Sequence, residues 1–296
     1  MAIVYDLVLP PGMEPPPRLY HYTSQRGLLG ILSSKTIWAT RIQFLNDSTE
    51  LGYSIALWQE AVQFRIARLE SDTSLPSELK TDVLKILRPL SQVFNSASKA
   101  SIYVACFSED GDTLSQWRGY CPGGHGYSIG FNSAQIIDAT PAKFFLAPCI
   151  YDKEKQVKLM DELLLGLFAD CGVSDPSKSK SKAEFTSPEY RHAFVMQFFF
   201  LASLLKHPSF FEEREWRLIS SPISDDDPQI DVRESKFVLI PHFKFELVKP
   251  EEELDVEVVV GPNPEAELAM TSLSTLLKTR KCRGSSRLSS IPFREI

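Results

Sequence analysis

The chain has 296 residues, of which 43% are hydrophobic and 24% charged, a balance typical of a globular protein with one large domain or two ordinary ones. Its formal net charge of -6 excludes a general nucleic-acid coat protein, which needs a strongly basic domain. The five cysteines show no CxxC spacing and match no zinc pattern. Neither a signal-peptide pattern nor an apolar run of membrane-spanning length occurs. The sequence therefore predicts a cytoplasmic protein with no metal site and no membrane partner.

The N-terminal part of the chain predicts a strand, a short helix and a second strand. RLYHYTS (18–24) alternates as a strand does, so His21 and Thr23 share one face and the two tyrosines share the other. Ser24 is placed to cap a helix with a leucine-rich face, and KTIWAT (35–40) predicts the second strand. A ring nitrogen and a hydroxyl on one strand face indicate either a binding site or a structural histidine on an edge strand.

Further strands and helices alternate along the rest of the chain. Apolar runs predict strands at 102–107, 126–131, 144–151, 215–220, 236–240, 256–261 and near 288–293, with a helix at about 263–279 before the last. Two helical insertions are predicted near 48–98 and 153–208, and Asp47 with Glu50 fits a capping box at the start of the first. Strands separated by such helical excursions predict a single α+β domain over residues 1–296.

The stretch CFSEDGDTLSQWRGYCPGGHG joins two predicted strands and contains a short helix that begins at Ser115. Trp117 and Tyr120 lie three residues apart, so an indole and a phenol share one helix face and form an aromatic wall. The glycines of CPGGHG let the backbone pass close to a ligand. The same residues also fit a tight connection that is filled by aromatic side chains, and both interpretations stay open.

The stretch FEEREWRLIS places two carboxylates and a guanidinium on a predicted strand. In a strand, Glu213, Glu215 and Arg217 share one face. Charged groups on a buried strand are costly unless they are paired or used in chemistry. A structural Glu–Arg pair, a functional carboxylate and a pair of hydrolytic carboxylates are therefore the alternatives for this segment.

Seven blocks of the sequence together resemble the signature blocks of a bacterial family, the domain of unknown function 2971. These blocks are YHYTS…GLLGIL, IWATRIQFLNDSTE, CFSEDGDTLSQWRGY, GYSIGF, EREWRLI, VVVGP and IPFRE. Their order also resembles that of the ADP-ribosyltransferase superfamily. That superfamily opens with a strand histidine and a small hydroxyl residue, here His21 and Thr23, and carries a glutamate on a late strand, here Glu215 with Glu213 second.

The resemblance implies a fold, a co-substrate and a set of site residues. The fold is an ADP-ribosyltransferase-like split β-sandwich, in which two sheets pack together, with helical insertions. The co-substrate is NAD, and Glu215 and Glu213 are the catalytic residues. The residues that the resemblance assigns to NAD binding are His21, Thr23, Arg41, Ser115, Trp117, Tyr120 and Arg217.

The function that the resemblance implies is NAD-dependent ADP-ribosyl transfer to a macromolecule. Bacterial members of the superfamily often act as toxins or phage-defence effectors, so RNA or DNA is an expected acceptor and an antitoxin protein an expected partner. A basic C-terminal cluster favours nucleic acid, whereas the acidic overall charge opposes it. NAD hydrolysis needs the same residues, and a non-catalytic module that binds NAD or another nucleotide is the alternative from a different class.

Overall fold

The computed structural model describes residues 13–45, 48–93, 101–121, 126–170, 184, 187–249 and 251–292. The helices in this part of the chain are α1 (Gln25–Ser34), α2 (Ser48–Ser71), α3 (Ser77–Val93), α4 (Leu114–Tyr120), α5 (Ser133–Ala139), α6 (Lys153–Asp170), α7 (Pro188–Ala202) and α8 (Ala266–Thr279). The strands are β1 (Arg18–Ser24), β2 (Thr36–Arg41), β3 (Tyr103–Ser108), β4 (Gly126–Asn132), β5 (Phe144–Pro148), β6 (Glu215–Ser220), β7 (Ile230–Arg233), β8 (Ile240–Glu246), β9 (Asp255–Val260) and β10 (Arg283–Leu288). The predicted α+β class is confirmed.

The chain divides into two compact units. The first takes in Ile42–Ser101 and Ile150–Pro208 and holds helices α2, α3, α6 and α7. The second holds the ten strands and the four remaining helices named above. Both stretches that the sequence predicts as helical insertions, near 48–98 and 153–208, therefore fall largely in the first unit. The predicted capping box at Asp47 and Glu50 lies outside the residues whose side chains the structure describes.

The helical unit is built around aromatic side chains and one paired charge. The Trp58 indole is fully buried and contacts the rings of Phe194 and Phe198, with centroid separations of 5.7 and 5.3 Å. The Arg65 guanidinium holds the Asp161 carboxylate, with Nε 2.6 Å from one carboxylate oxygen. None of the helices in the described part of the chain combines the length and the apolar character that crossing a membrane requires.

Helix α1 is capped by the residue that the sequence predicts. The Ser24 hydroxyl accepts a hydrogen bond from the backbone N–H of Gly27 and so caps α1. The helix ends at Lys35, whose φ of 53° is left-handed and whose N–H donates to the carbonyl of Ile31. The predicted cap, helix and second strand are thus confirmed.

The strands of the second unit form one ten-stranded mixed sheet that branches at β3. One group of strands follows the order β10-β9-β4-β1, and the other follows β2-β8-β7. At one edge, β3 pairs with β2 through Val104 and with β1 through Ser108, while its other edge pairs with β6. The sequence predicts two packed sheets; the hydrogen-bonded ladder instead joins both groups of strands through β3.

Both groups of strands contribute to one hydrophobic core. Leu19, Ile129 and Val258 come from the first group, and Ile37 and Phe243 from the second, all with at most 1% of their surface exposed. Helices α1, α5 and α8 add leucine and isoleucine side chains to the same cluster. The strands that meet at β3 therefore pack on one shared core, and this packing fixes their positions.

At three places the predicted and the observed strands differ. The apolar run at 236–240 is mostly an exposed turn, and Phe237 is 85% exposed. The strand is β8, which the alternation of buried Phe243 and Phe245 with exposed Lys244 marks. β7 has no predicted counterpart, and β10 ends where the sequence predicts the last strand to begin.

Candidate functional site

A small cleft lies where β1 separates from β3. Its cavity volume is about 30 Å³, room for about two ordered water molecules. The residues that line it are Tyr20, His21, Tyr22, Cys106, Phe107, Ser108, Gln116, Tyr120, Glu213 and Glu215. Of the nine site residues predicted from the sequence, the cleft brings together His21, Tyr120, Glu213 and Glu215.

His21 occupies the gap between the two strands that pair with one edge of β3. No residue of β1 or β2 pairs with Cys106, and the Nδ1 atom of His21 lies 2.9 Å from its carbonyl oxygen. Because a carbonyl only accepts hydrogen bonds, Nδ1 carries the proton, and the neutral ring presents Nε2 as an acceptor. Burial lowers the pKa of His21 from 6.5 against the opposing hydrogen bond with the Cys106 carbonyl, and the Arg233 cation adds to the lowering, so the neutral ring persists at pH 7.

Glu215 and Arg217 form a buried ion pair on one face of β6. The guanidinium holds the carboxylate through two hydrogen bonds, of 2.8 and 3.0 Å, and the two residues are 4% and 3% exposed. Such a two-pronged pair fixes the carboxylate in one orientation. Arg217, which is predicted to bind NAD, thus contacts Glu215 and acts as the group that positions it.

Glu213 lies before β6 rather than on it. It ends a short 3-10 helix (Pro208–Glu213), and Arg214 follows with a left-handed φ of 41°. This turn breaks the strand alternation that would place Glu213 beside Glu215. The segment is held to the end of β3, because the Ser108 hydroxyl donates to the carbonyl of Glu213 at 2.8 Å. Glu213 is half-buried and lines the cleft.

Of the two aromatic residues predicted to form a wall, only Tyr120 lines the cleft. Tyr120 is 38% exposed and lines it, whereas Trp117 is 1% exposed and packs edge-on against Tyr22 at a centroid distance of 4.7 Å. The Trp117 indole donates to the Asp112 carboxylate at 2.9 Å. Trp117 is therefore in the core beneath the cleft, where it has no free face for a ligand ring. Ser115 is exposed and does not line the cleft.

Two further predicted residues also lie away from the cleft lining. Thr23 packs against Gly27, where a Cβ atom would lie within 1.9 Å of the threonine hydroxyl. Arg41 forms an ion pair with Asp225 at 3.4 Å. The side chain at position 23 therefore secures the junction of β1 and α1, and Arg41 belongs to the β2 end of the sheet.

Asp112 holds helix α4 beside the cleft. In addition to the indole of Trp117, its carboxylate accepts hydrogen bonds from the hydroxyl of Ser289 and from the backbone N–H and hydroxyl of Ser290. These donors keep the pKa of Asp112 below its usual value, although burial opposes them. The loop before α4 is thus fastened to the segment that follows β10.

Sequence reasoning missed two polar residues near this site. Gln116 is 6% exposed and lines the cleft, yet an uncharged residue between Ser115 and Trp117 gives no sequence signal. Arg233 is half-buried on β7, a strand with no predicted counterpart, and its guanidinium donates to the Thr40 hydroxyl at 3.3 Å. Among the described residues, no three His, Cys, Asp or Glu side chains gather as a metal site.

One segment of the chain matches the model of a known family. Residues 116–218 match a family model described as "Protein of unknown function (DUF2971)". The match supports the predicted resemblance over this segment, which contains Gln116, Tyr120, both cleft glutamates and Arg217. No curated protein and no solved structure matches the chain.

Proposed function

We propose that the protein is an NAD-dependent ADP-ribosyltransferase that modifies a macromolecule, with an ADP-ribosyltransferase-like fold. The observation that carries the proposal is the meeting of His21 with Glu213 and Glu215 in one small cleft, although these residues are nearly 200 positions apart in the chain. A concave site with a few convergent polar groups is the usual setting for binding and chemistry. The fold part of the proposal rests on the resemblance, since the strands belong to one branched ladder.

The reaction breaks the bond between the nicotinamide nitrogen and the anomeric carbon of the ribose. Nicotinamide leaves with the bonding electron pair, and positive charge develops on the sugar as in glycoside hydrolysis. Glu215, held by Arg217, supplies a fixed negative charge and accepts a hydrogen bond from the ribose 2′-hydroxyl. The acceptor then attacks the anomeric carbon and loses its proton to Glu213, which lies at the half-buried edge of the cleft.

The remaining cleft residues bind the dinucleotide. Nε2 of His21 accepts a hydrogen bond from a ribose hydroxyl, since Nδ1 is already committed to the carbonyl of Cys106. The Tyr120 phenol stacks against the nicotinamide ring. The cation proposed for the pyrophosphate is Arg233, which lies outside the cleft lining and contacts Thr40, because Arg217 is held by Glu215.

The acceptor class and the biological role follow from the resemblance. RNA or DNA is the proposed acceptor, and a toxin or phage-defence effector restrained by an antitoxin protein is the proposed setting. With a net charge of -6, the protein would present nucleic acid to the cleft through a local basic patch rather than through its whole surface.

The decisive experiment measures nicotinamide release from NAD by the wild type and by Glu215→Gln. We expect the variant to lose about 100- to 10,000-fold in turnover, the contribution of one positioned catalytic group. Asp161→Asn is the matched control, since it removes a carboxylate from an Arg pair in the helical unit. Circular dichroism verifies that each variant is folded. Equal turnover by wild type and Glu215→Gln would refute the catalytic assignment.

The same assay with added RNA, DNA or cell lysate separates the alternatives. ADP-ribose attached to one polymer identifies a transferase and its acceptor class. Nicotinamide release with only free ADP-ribose as the second product identifies an NAD glycohydrolase. NAD binding without release under any of these conditions identifies a non-catalytic binding module.

A further inference from the structure

Gln116 is a buried polar side chain at the cleft for which the structure provides no partner. Its residue surface is 6% exposed, and it lines the cleft with His21, Tyr120 and the two glutamates. The side-chain amide makes no hydrogen bond to any described residue. By contrast, the buried amide of Gln156 in the helical unit donates to two backbone carbonyls, at 2.6 and 2.8 Å.

An unpaired amide in such a place requires an explanation. Most polar side chains on a buried surface have a protein hydrogen-bond partner, whereas the Gln116 amide, which is not among the described polar atoms that lack both a partner and solvent, meets only the solvent of the cleft. The helix that carries it is fixed, because Trp117 is anchored to Asp112 and Tyr22. The amide is therefore held at the cleft with its donors and its acceptor available to a ligand.

The hydrogen-bond donors and the acceptor of the amide indicate which ligand group would bind it. A primary amide offers two N–H donors and one carbonyl acceptor in a plane. A second primary carboxamide matches it in both respects, because it returns an acceptor and a donor in the same plane. The N6/N7 edge of adenine also matches, and ADP-ribose, which keeps the adenine, distinguishes the two in the test below. A carboxylate in that position can only accept, so it satisfies the N–H donors and leaves the Gln116 carbonyl unpaired.

We infer that Gln116 recognises the carboxamide of the nicotinamide group, an assignment that rests on the proposed NAD-dependent function. Tyr120 lies one helical turn after Gln116, so their side chains are neighbours on α4. A nicotinamide ring stacked on the Tyr120 phenol would direct its carboxamide to Gln116, and its glycosidic bond toward Glu215. Gln116 thereby distinguishes NAD from its deamidated form, nicotinic acid adenine dinucleotide.

The test is a calorimetric binding series in the Glu215→Gln background, where NAD turnover is expected to be at least about 100-fold slower. Three ligands are compared: NAD, nicotinic acid adenine dinucleotide and ADP-ribose, which lacks the ring. Without the further substitution, we expect NAD to bind at least tenfold more tightly than the deamidated dinucleotide. Adding Gln116→Leu should weaken NAD binding by about 10- to 100-fold, abolish that preference and leave ADP-ribose binding unchanged. Gln135→Leu is the matched control, because Gln135 bonds the carbonyl of Glu253 outside the cleft lining.

Each outcome decides the assignment. Equal loss of NAD and ADP-ribose binding in Gln116→Leu would mean that Gln116 only supports the shape of the cleft. Equal affinity for NAD and its deamidated form without Gln116→Leu would also overturn the assignment, while the NAD cleft itself would stand. Failure to bind any of the three ligands would refute the proposed function together with this inference.

Discussion

His21 and His242 are two histidines on strands of the same sheet, and their surroundings differ in one decisive respect. His242, on β8, is 1% exposed and stacks on Trp38 at a centroid distance of 4.3 Å. Neither of its ring nitrogens makes a hydrogen bond of good geometry, although the Ile240 backbone lies near enough to raise its pKa against the effect of burial. Burial lowers its pKa from 6.5, as it does for His21, and the same Arg233 cation acts in the same direction on both.

Comparing the two histidines shows which of their properties result from burial and which indicate a role in binding. Both rings are neutral at pH 7 for the same physical reason, so a lowered pKa does not distinguish a binding residue from a packed one. His21 has a fixed tautomer, set by the Cys106 carbonyl, and it lines a cleft. His242 has neither. A ligand role is therefore assigned to His21 alone, and three measurements examine that distinction.

The largest expected difference is in NAD affinity. His21→Ala removes the acceptor nitrogen from the cleft and should weaken NAD binding about tenfold or more, the effect of one lost polar contact. His242→Ala should leave the affinity unchanged, because the ring does not line the cleft. Calorimetry in the Glu215→Gln background measures both variants. Equal losses in the two variants would remove the distinction between the histidines.

Replacement by phenylalanine should affect stability with opposite signs at the two positions. His21→Phe removes the donor to the Cys106 carbonyl and should lower the free energy of unfolding by about 1–3 kcal/mol. His242→Phe keeps a ring on Trp38 and eliminates two buried unpaired nitrogens, so it should raise that free energy by about 1 kcal/mol. Urea unfolding of both variants measures the signs. A loss of stability in His242→Phe would indicate that its ring nitrogens are satisfied in solution.

The smallest expected effect is in the pH dependence of stability. Both folded-state pKa values lie below 6.5, so the unfolded chain binds more protons than the folded one as the pH falls below 6.5. Stability should therefore decline from about pH 6.5 downward, before the carboxylates with lowered pKa values, such as Asp112, titrate. At His242, Asp231 opposes the shift and Lys244 adds to it. Thermal unfolding across this range should show a weaker decline in each Phe variant and the weakest in the double variant. An unchanged slope in the double variant would contradict this account.

Local signals in the sequence are sufficient to predict much of the sheet. Strands at β1, β4 and β6 and the cap at Ser24 follow from alternation and from a side chain that can bond a helix N–H. The turn at 236–240 is a failure of the same rule, because an apolar run without alternation predicts a strand but here is exposed. The alternation of Phe243 and Phe245 was the better signal.

The candidate site is less accessible to such reasoning because its geometry is non-local. The spacing of Trp117 and Tyr120 predicts a shared helix side, but only the Asp112 carboxylate, bound from the far end of the chain, determines that the indole is buried. The left-handed backbone of Arg214 separates Glu213 from the strand, and a non-glycine residue in that conformation has no sequence signature. The gap that His21 fills depends on the partners of β3, which no local pattern reveals.

The hydrogen bonds between Asp112 and the serines at 289 and 290 also determine when the cleft can be completed during synthesis. The ribosome makes residues in order, so the loop that carries Asp112 exists long before its two serine partners are translated. Until then, helix α4 lacks the anchor that fixes Gln116 and Tyr120 at the cleft. A nascent chain therefore carries an unfinished site until the segment that follows β10 has left the exit tunnel.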